Sequence, residues 1–247
     1  VTPVNYDIAG LLITAVELLE GEQSIRLTTS VMSTGITYVL TVNNVKDKFD
    51  NRILPDSQSN FDFFEEWTVS FQDALAPTPA YGDTFDTFIR EASASTNYGS
   101  RVRLEVDGDE PSGSGTDMYI LVGWDVSHIP SSASVDSAKI HFNVTDAGGP
   151  YSCYGLLREW SEPEVTWNQA KSGNAWEVPG ALGATDRDNT ELCTFSASSG
   201  TLSISLNNDG LALVQSWVDG SAGNYGVVIG DSGTSNGVDV DAREAAS

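Results

Sequence analysis

Histidine and cysteine are almost missing from this chain, and their scarcity closes off several kinds of chemistry. Two histidines, His128 and His141, and two cysteines, Cys153 and Cys193, are all that 247 residues contain. Two widely spaced cysteines with only two histidines argue against a structural zinc site. The same shortage argues against a Ser–His or Cys–His nucleophile. His141 alternates outward beside Lys139 and reads as a surface residue. Cations are scarce too. Twelve Lys and Arg stand against 35 Asp and Glu, a formal net charge of −23, which leaves nothing to neutralise a run of phosphates and argues against nucleic acid. No apolar run approaches the roughly 20 residues of a membrane span. No basic start followed by an apolar segment is present, so a secreted protein would carry its signal peptide outside this sequence. Also missing are a Gly-rich phosphate loop followed by Lys, an HExxH pair and a Gly-x-Ser-x-Gly elbow.

What is present is a β protein's pattern. A hydrophobic fraction of 40% over 247 residues gives one large or two ordinary domains, and the excess negative charge favours a soluble, self-repelling monomer. Ser24 to Ser30 and Thr37 to Val45 alternate apolar and polar residues, the period of a half-buried strand. Leu11 to Glu20 reads as strand, and Phe61, Phe63 and Phe64 supply another. Ala74 to Gly82, small and proline-bearing, marks a boundary. The expected division is a domain over 1–75, a linker over 76–83 and a module over 84–247.

In the module, Arg101 to Val106 places Val102, Leu104 and Val106 inward, with Arg101, Arg103 and Glu105 outward. Met118 to Val126 is nearly continuously apolar, as a strand buried on both faces is. Ala138, Ile140, Phe142 and Val144 alternate with Lys139, His141 and Asn143, and Leu202, Ile204 and Leu206 with Thr201, Ser203 and Ser205. Only Gly210 to Trp217 reads helical. The stretch from Tyr154 to Trp167, YGLLREWSEPEVTW, predicts a buried strand, a corner at Pro163 and a second extended piece. Its Trp160 and Trp167, with Trp176, read as core. The fold class is all-β, a β-sandwich of jelly-roll type with a smaller N-terminal β-domain.

Two resemblances refine this. Leu27-Thr28-Thr29-Ser30, Gly35-x-Thr37-Tyr38 with Leu40-Thr41-Val42, and Asn44-Val45-x-Asp47 with Asn51 resemble the second half of a bacterial immunoglobulin-like domain, whose first strands would lie before Asn5. The second covers 84 to 247 in order. It runs through Asp86-Thr87-x-Ile89-Arg90, Thr96-Asn97-Tyr98-Gly99, Gly123-Trp124-Asp125 and Leu157-Arg158-x-Trp160-x-Glu162. It continues with Val165-Thr166-Trp167-Asn168, Asn224-Tyr225-Gly226 and Ala242-Arg243-Glu244-Ala245. This succession resembles the disaggregatase-related, or DNRLRE, family, which overlaps the alginate-binding carbohydrate-binding module family 96. That resemblance implies a β-sandwich module attached to secreted lyases, hydrolases or surface proteins, with a last strand after Arg243-Glu244, where this chain has three more residues.

The function expected is therefore non-catalytic binding of an acidic polysaccharide, alginate or another uronic-acid polymer, by part of a secreted or cell-surface multidomain protein. The alternative is a structural spacer without sugar binding. The candidate ligand-binding residues are Arg101, Arg103 and Lys139, outward on their strands and suited to gripping carboxylates, with Tyr98 and Tyr225 as flat faces for sugar rings. Calcium is the expected cofactor, because alternate acids in a loop supply oxygens to a hard cation. Asp107 with Asp109, or Asp186 with Asp188, would hold it, and Asp86, Asp239 and Asp241 are reserve ligands. Glu159 and Glu162, the best candidates for a hydrolytic carboxylate pair, read instead as partners of Arg158, and no catalytic residue is assigned. Cys153 and Cys193, each in a strand-like setting, are expected to form a disulfide, with two buried free thiols as the alternative.

Overall fold

A computed structural model describes residues 2–19, 24–63, 65–108, 113–230, 233 and 235–245. The chain divides into two compact units, Val1–Thr68 and Val69–Ser247.

The first unit contains β1 (Tyr6–Ile8), β2 (Ile13–Leu18), β3 (Ile25–Thr29), β4 (Ile36–Val42) and β5 (Ser57–Phe63). Strand β4 is the middle of an antiparallel sheet ordered β1-β4-β5, while β2 and β3 form a separate hairpin. Tyr6, Ile8 and Tyr38 are buried, and Tyr38 stacks on its cross-strand partner Phe61 at 5.7 Å, the pairing that stabilises a sheet face. Past β4 the carboxylate of Asp47 accepts from the amides of Phe49 and Asn51, each at 2.8 Å, so the Asn-Val-x-Asp stretch encodes a side-chain-closed turn. Phe64, expected to extend the last strand, lies outside the described residues.

The second unit carries β6 (Thr84–Arg90), β7 (Arg103–Val106), β8 (Met118–Trp124), β9 (Lys139–Asp146) and β10 (Gly148–Leu156). After these come β11 (Gln169–Lys171), β12 (Asn174–Ala175), β13 (Arg187–Ala197), β14 (Gly200–Ser205), the helix α1 (Asn208–Val218), β15 (Val227–Gly230) and β16 (Val238–Asp241). Two antiparallel sheets face each other, one ordered β13-β10-β15-β8-β6 and the other β14-β9-β16-β7. Between them lies one apolar cluster. Ile120, Val122, Cys153, Val227 and Ile229 come from the first sheet, and Leu104, Val106, Ile140, Val144, Ile204, Val238 and Val240 from the second. This is the expected all-β sandwich. Cys153 and Cys193 stand opposite each other on β10 and β13 and are joined by a disulfide. Helix α1 is capped by Asn207, whose side chain accepts from the amide of Gly210 at 3.0 Å, and it adds Trp217 and Val218 to the core.

The continuous apolar run of β8 has its explanation in a second core. Ile120 and Val122 face the other sheet, while Tyr119 and Leu121 join Ile89, Leu156 and Val228 on the opposite side. The segment after β10 folds over that side and covers it with Trp160, Val165, Trp167 and Trp176. Two of these indole N–H groups have backbone partners. Trp160 donates to the carbonyl of Tyr225 at 2.8 Å and Trp176 to that of Thr166 at 3.0 Å. The covering segment is pinned by Asp186, which is fully buried. Its carboxylate accepts from Arg158 Nη1 and from the amides of Glu177, Val178 and Gly183, all at 3.0–3.1 Å. Arg158 thus pairs with Asp186 and not with its sequence neighbours. Glu159 pairs with Lys171, and Glu162 with Arg243.

The stretch expected as a linker over 76–83 is bound into the second unit. Tyr81 is 3% exposed and donates its hydroxyl to the carbonyl of Asp125 at 3.1 Å. Upstream, Asp73 accepts from the amide of Thr84 at 2.9 Å. A small, uncharged, proline-bearing segment reads alike whether it floats or packs, and here one buried aromatic residue anchors it.

Candidate ligand-binding site

The site is built where β6 ends and β7 begins. The loop between them is locked by Asn97, whose Nδ2 donates to the carbonyls of Glu162 at 2.7 Å and Val165 at 2.8 Å, while its Oδ1 accepts from the amide of Gly99 at 3.2 Å. Glycine is required two residues on, because a Cβ at position 99 would lie 2.3 Å from the carbonyl oxygen of Glu162. Between these fixed points Tyr98 lays its ring on Phe88, with centroids 4.3 Å apart and planes 23° from parallel. The amide of Arg101 then donates to the carbonyl of Tyr98 at 3.0 Å, and its guanidinium lies 5.8 Å from the Tyr98 ring centroid, within cation–π range.

These residues line a concavity of about 300 Å³, with Phe88 and Tyr98 as its aromatic wall, Arg90, Arg101 and Arg103 as its cations, and Val102 and Glu105 completing it. The three arginines are not equivalent. Arg103 is held by Glu105 Oε1 at 2.7 Å and by Asp239 Oδ2 at 3.1 Å, and the Glu105 hydrogen bond, then the Asp239 charge, raise its pKa above the ordinary value. Arg101 is exposed and has no ion pair among the described residues. Arg90 has none either, and its Nε is buried without a hydrogen-bond partner. A donor left in that state costs free energy until something accepts from it. The arrangement thus offers two uncommitted guanidinium groups beside an aromatic platform, with a third already spoken for.

Of the residues anticipated from sequence, Tyr98, Arg101 and Arg103 meet in this concavity. Val102, expected inward, is 60% exposed and lines it, because β7 starts only at Arg103 and the alternation does not extend back through the turn. Lys139 is not among the lining residues. It opens β9 opposite Ser205, and β16 lies between its strand and β7. Tyr225 is elsewhere as well, packed against the second core, although its Asn-Tyr-Gly motif works like the first. Asn224 donates to the carbonyl of Trp124 at 2.6 Å and accepts from the amide of Gly226 at 3.2 Å. Arg90, which also lines the concavity, was not anticipated. Its one sequence signal is that it shares a strand face with Phe88.

The anticipated metal loops look different in three dimensions. Asp186 spends its oxygens on four donors, as described, and Asp188 is exposed and closes a turn with the amide of Thr190 at 2.7 Å. Asp107 accepts from the Tyr151 hydroxyl at 3.4 Å, and Asp109 lies outside the described residues. Asp239 is engaged by Arg103 and Asp241 by Asn143 Nδ2 at 2.6 Å. None of these joins a group of three metal-ligating side chains among the described residues.

A second, larger concavity of about 470 Å³ lies near Glu91, Asp117, Tyr119 and Trp167. Both rings are almost wholly buried there, and the charged residues on its walls are acids. It lacks what the first concavity has, a partly exposed ring beside cations without an ion pair among the described residues.

No curated protein matches the chain significantly. Residues 79–178 match the model of carbohydrate-binding module family 96, a stretch that contains the whole of the arginine-lined concavity, its aromatic platform and the Asn97 clamp. Over that stretch the second unit is similar to carbohydrate-binding module family 96.

Proposed function

We propose that the second unit is a non-catalytic module of a secreted multidomain protein and that it binds an acidic polysaccharide, alginate first and other uronic-acid polymers such as ulvan or pectin after it. The observation that carries this reading is the placement of Arg90 and Arg101 beside Tyr98. In a chain with 12 basic residues and a net charge of −23, three arginines share one concavity. Two further arginines of the unit are committed elsewhere, Arg243 to Glu162 and Asp73, and Arg158 to Asp186.

A guanidinium presents two parallel N–H donors that match a carboxylate, which is the group that distinguishes uronic acids from neutral sugars. The Tyr98 ring supplies a flat apolar face for the pyranose, and Phe88 behind it holds that ring in place. No helix among the described residues is long and apolar enough to cross a membrane, and the Cys153–Cys193 disulfide suits an oxidising compartment. The surrounding negative potential opposes a polyanion, so the interaction is weak and local, and it fades as salt screens the arginines. The first unit, with its immunoglobulin-like sequence, acts as a spacer in this reading.

Affinity electrophoresis tests it. Mobility of the full chain should fall in gels containing alginate or pectate and stay unchanged with laminarin or hydroxyethyl cellulose. Retardation by the neutral glucans alone would overturn the acidic-sugar assignment, and no retardation in any gel would make the module a structural spacer.

A further inference from the structure

Three carboxylates that the proposed sugar site does not use meet where the end of the chain returns to β6. One oxygen each from Asp86, Glu162 and Glu244 lies within 4.8 Å of the others. Asp86 is on β6, Glu162 is in the segment that covers the second core, and Glu244 follows β16, so three distant parts of the sequence converge.

Their hydrogen bonds leave a specific deficit. Asp86 is 5% exposed. Its Oδ2 accepts from the amide of Arg243 at 2.8 Å, but its Oδ1 is buried with no partner among the described residues. Glu244 accepts from Arg243 Nε through Oε1 at 3.0 Å, while its Oε2 is likewise buried and unpartnered. Glu162 accepts from Arg243 Nη2 at 2.9 Å through Oε1. Arg243 also reaches Asp73 at 3.2 Å. One guanidinium therefore serves three carboxylates and Asp86 stands beside them as a fourth, a local excess of three negative charges in a partly buried place, where desolvation and mutual repulsion are both costly. Burial is the largest influence on Asp86 and pushes its carboxyl up to about 7, with the Arg243 amide acting against it.

We infer that Asp86, Glu162 and Glu244 hold a divalent cation of the hard, oxygen-seeking kind, calcium. Two buried carboxylate oxygens without donors present lone pairs to a ligand that accepts electron pairs, and a cation removes both the orphaned lone pairs and two of the three excess charges. Calcium takes six to eight oxygens at roughly 2.3–2.6 Å in flexible geometry, so oxygens on opposite sides of it stand up to about 5 Å apart, which spans the spacing observed. The ion would tie β6, the tryptophan-bearing cover and the returning end of the chain together, none of which is joined to another by the disulfide. The site differs from the loops at Asp107 and Asp186 that the sequence suggested, and it stands whether or not the module binds a sugar.

Terbium, a luminescent stand-in for calcium, tests the inference on the full chain, with Trp160 two residues from Glu162 as the antenna. In 150 mM NaCl, to suppress loose binding to the acidic surface, titration should give one tight saturable phase that calcium displaces. Asp86→Asn and, separately, Glu244→Gln should each weaken that phase at least tenfold, while Asp188→Asn leaves it intact. Circular dichroism in EDTA verifies that each variant is folded, and two independent variants guard against one failing to fold. Absence of a tight phase in the unaltered protein, or a tight phase that survives both substitutions, overturns the assignment.

Discussion

The guanidinium of Arg101 lies 5.8 Å from the centroid of the Tyr98 ring, which is itself stacked on Phe88. In the proposed binding mode, a cation beside an aromatic platform would position a carboxylate and the ring that bears it within one concavity. Replacing Tyr98 by Ala removes the platform and frees the arginine at once. Affinity for alginate oligosaccharides should fall about tenfold, the equivalent of about 1.4 kcal/mol, with little change in melting temperature, because the ring is only partly buried. A large fall in melting temperature with unchanged affinity would instead make Tyr98 a packing residue.

The loop that presents Tyr98 tolerates no side chain at position 99, where a Cβ would stand 2.3 Å from the Glu162 carbonyl oxygen. Gly99→Ala should therefore push the loop away from the tryptophan-bearing cover and destabilise the second unit by about 1–3 kcal/mol, as overpacking does. Thermal unfolding followed by tryptophan fluorescence reads this directly, since Trp160 and Trp167 flank the Glu162–Val165 contact that Asn97 makes. A variant as stable as the parent would show that the loop has slack.

Asp186 ties down the same cover, and its titration has a definite sign. Burial raises its carboxyl, but hydrogen bonds from the amides of Glu177 and Val178, from Arg158 and from Gly183 outweigh it and hold the pKa below the usual 3.8. A group whose folded pKa is depressed contributes stability above its unfolded pKa, about 3.9, and loses it as pH falls through the folded value. Asp186→Asn should lower the melting temperature at pH 7 by about 6–12 °C, taking about 3 kcal/mol for a broken buried pair. The difference from the parent should shrink below pH 4. A pH-independent difference would show that shape, and not charge, makes Asp186 matter.

The disulfide joins register partners on β10 and β13 and closes a loop with a sequence separation of 40. In the chain-entropy account such a loop stabilises by about 4 kcal/mol. Intact mass after alkylation without reductant should show no free thiol, and a Cys153→Ser, Cys193→Ser variant should melt well below the parent.

Much of this was legible in the sequence because the relevant signals are local. Period-two alternation located β3, β4, β7, β9 and β14, and the unbroken apolar run of β8 announced a strand buried on both faces. Arg101, Arg103 and Tyr98, which line one concavity, could be singled out because a strand's parity and an Asn-Tyr-Gly loop can be read residue by residue. What failed required strand neighbours. Lys139 has the right parity, but β16 intervenes between its strand and β7. Arg90 joins the site because β6 ends beside the Tyr98 loop, which no spacing encodes. Tyr225 carries the same motif as Tyr98, yet it packs on the second core. The Asp86, Glu162 and Glu244 cluster draws on positions 76 and 82 residues apart, so only the closed fold brings it together. Asp186 sits in a D-x-D pattern that suggests a cation, but the residue that claims it is Arg158.

Calorimetric titration of alginate oligosaccharides tests the central claim most directly, using the unaltered chain and an Arg90→Ala, Arg101→Ala variant, at low and at physiological salt. The account predicts measurable binding that weakens as salt rises. It also predicts a loss of about tenfold to a hundredfold for each arginine removed, since hydrogen bonds to a charged group are worth about 1.5–3 kcal/mol. Alginate binding that persists unchanged in the double variant, or that is matched by a neutral glucan of the same length, would contradict it.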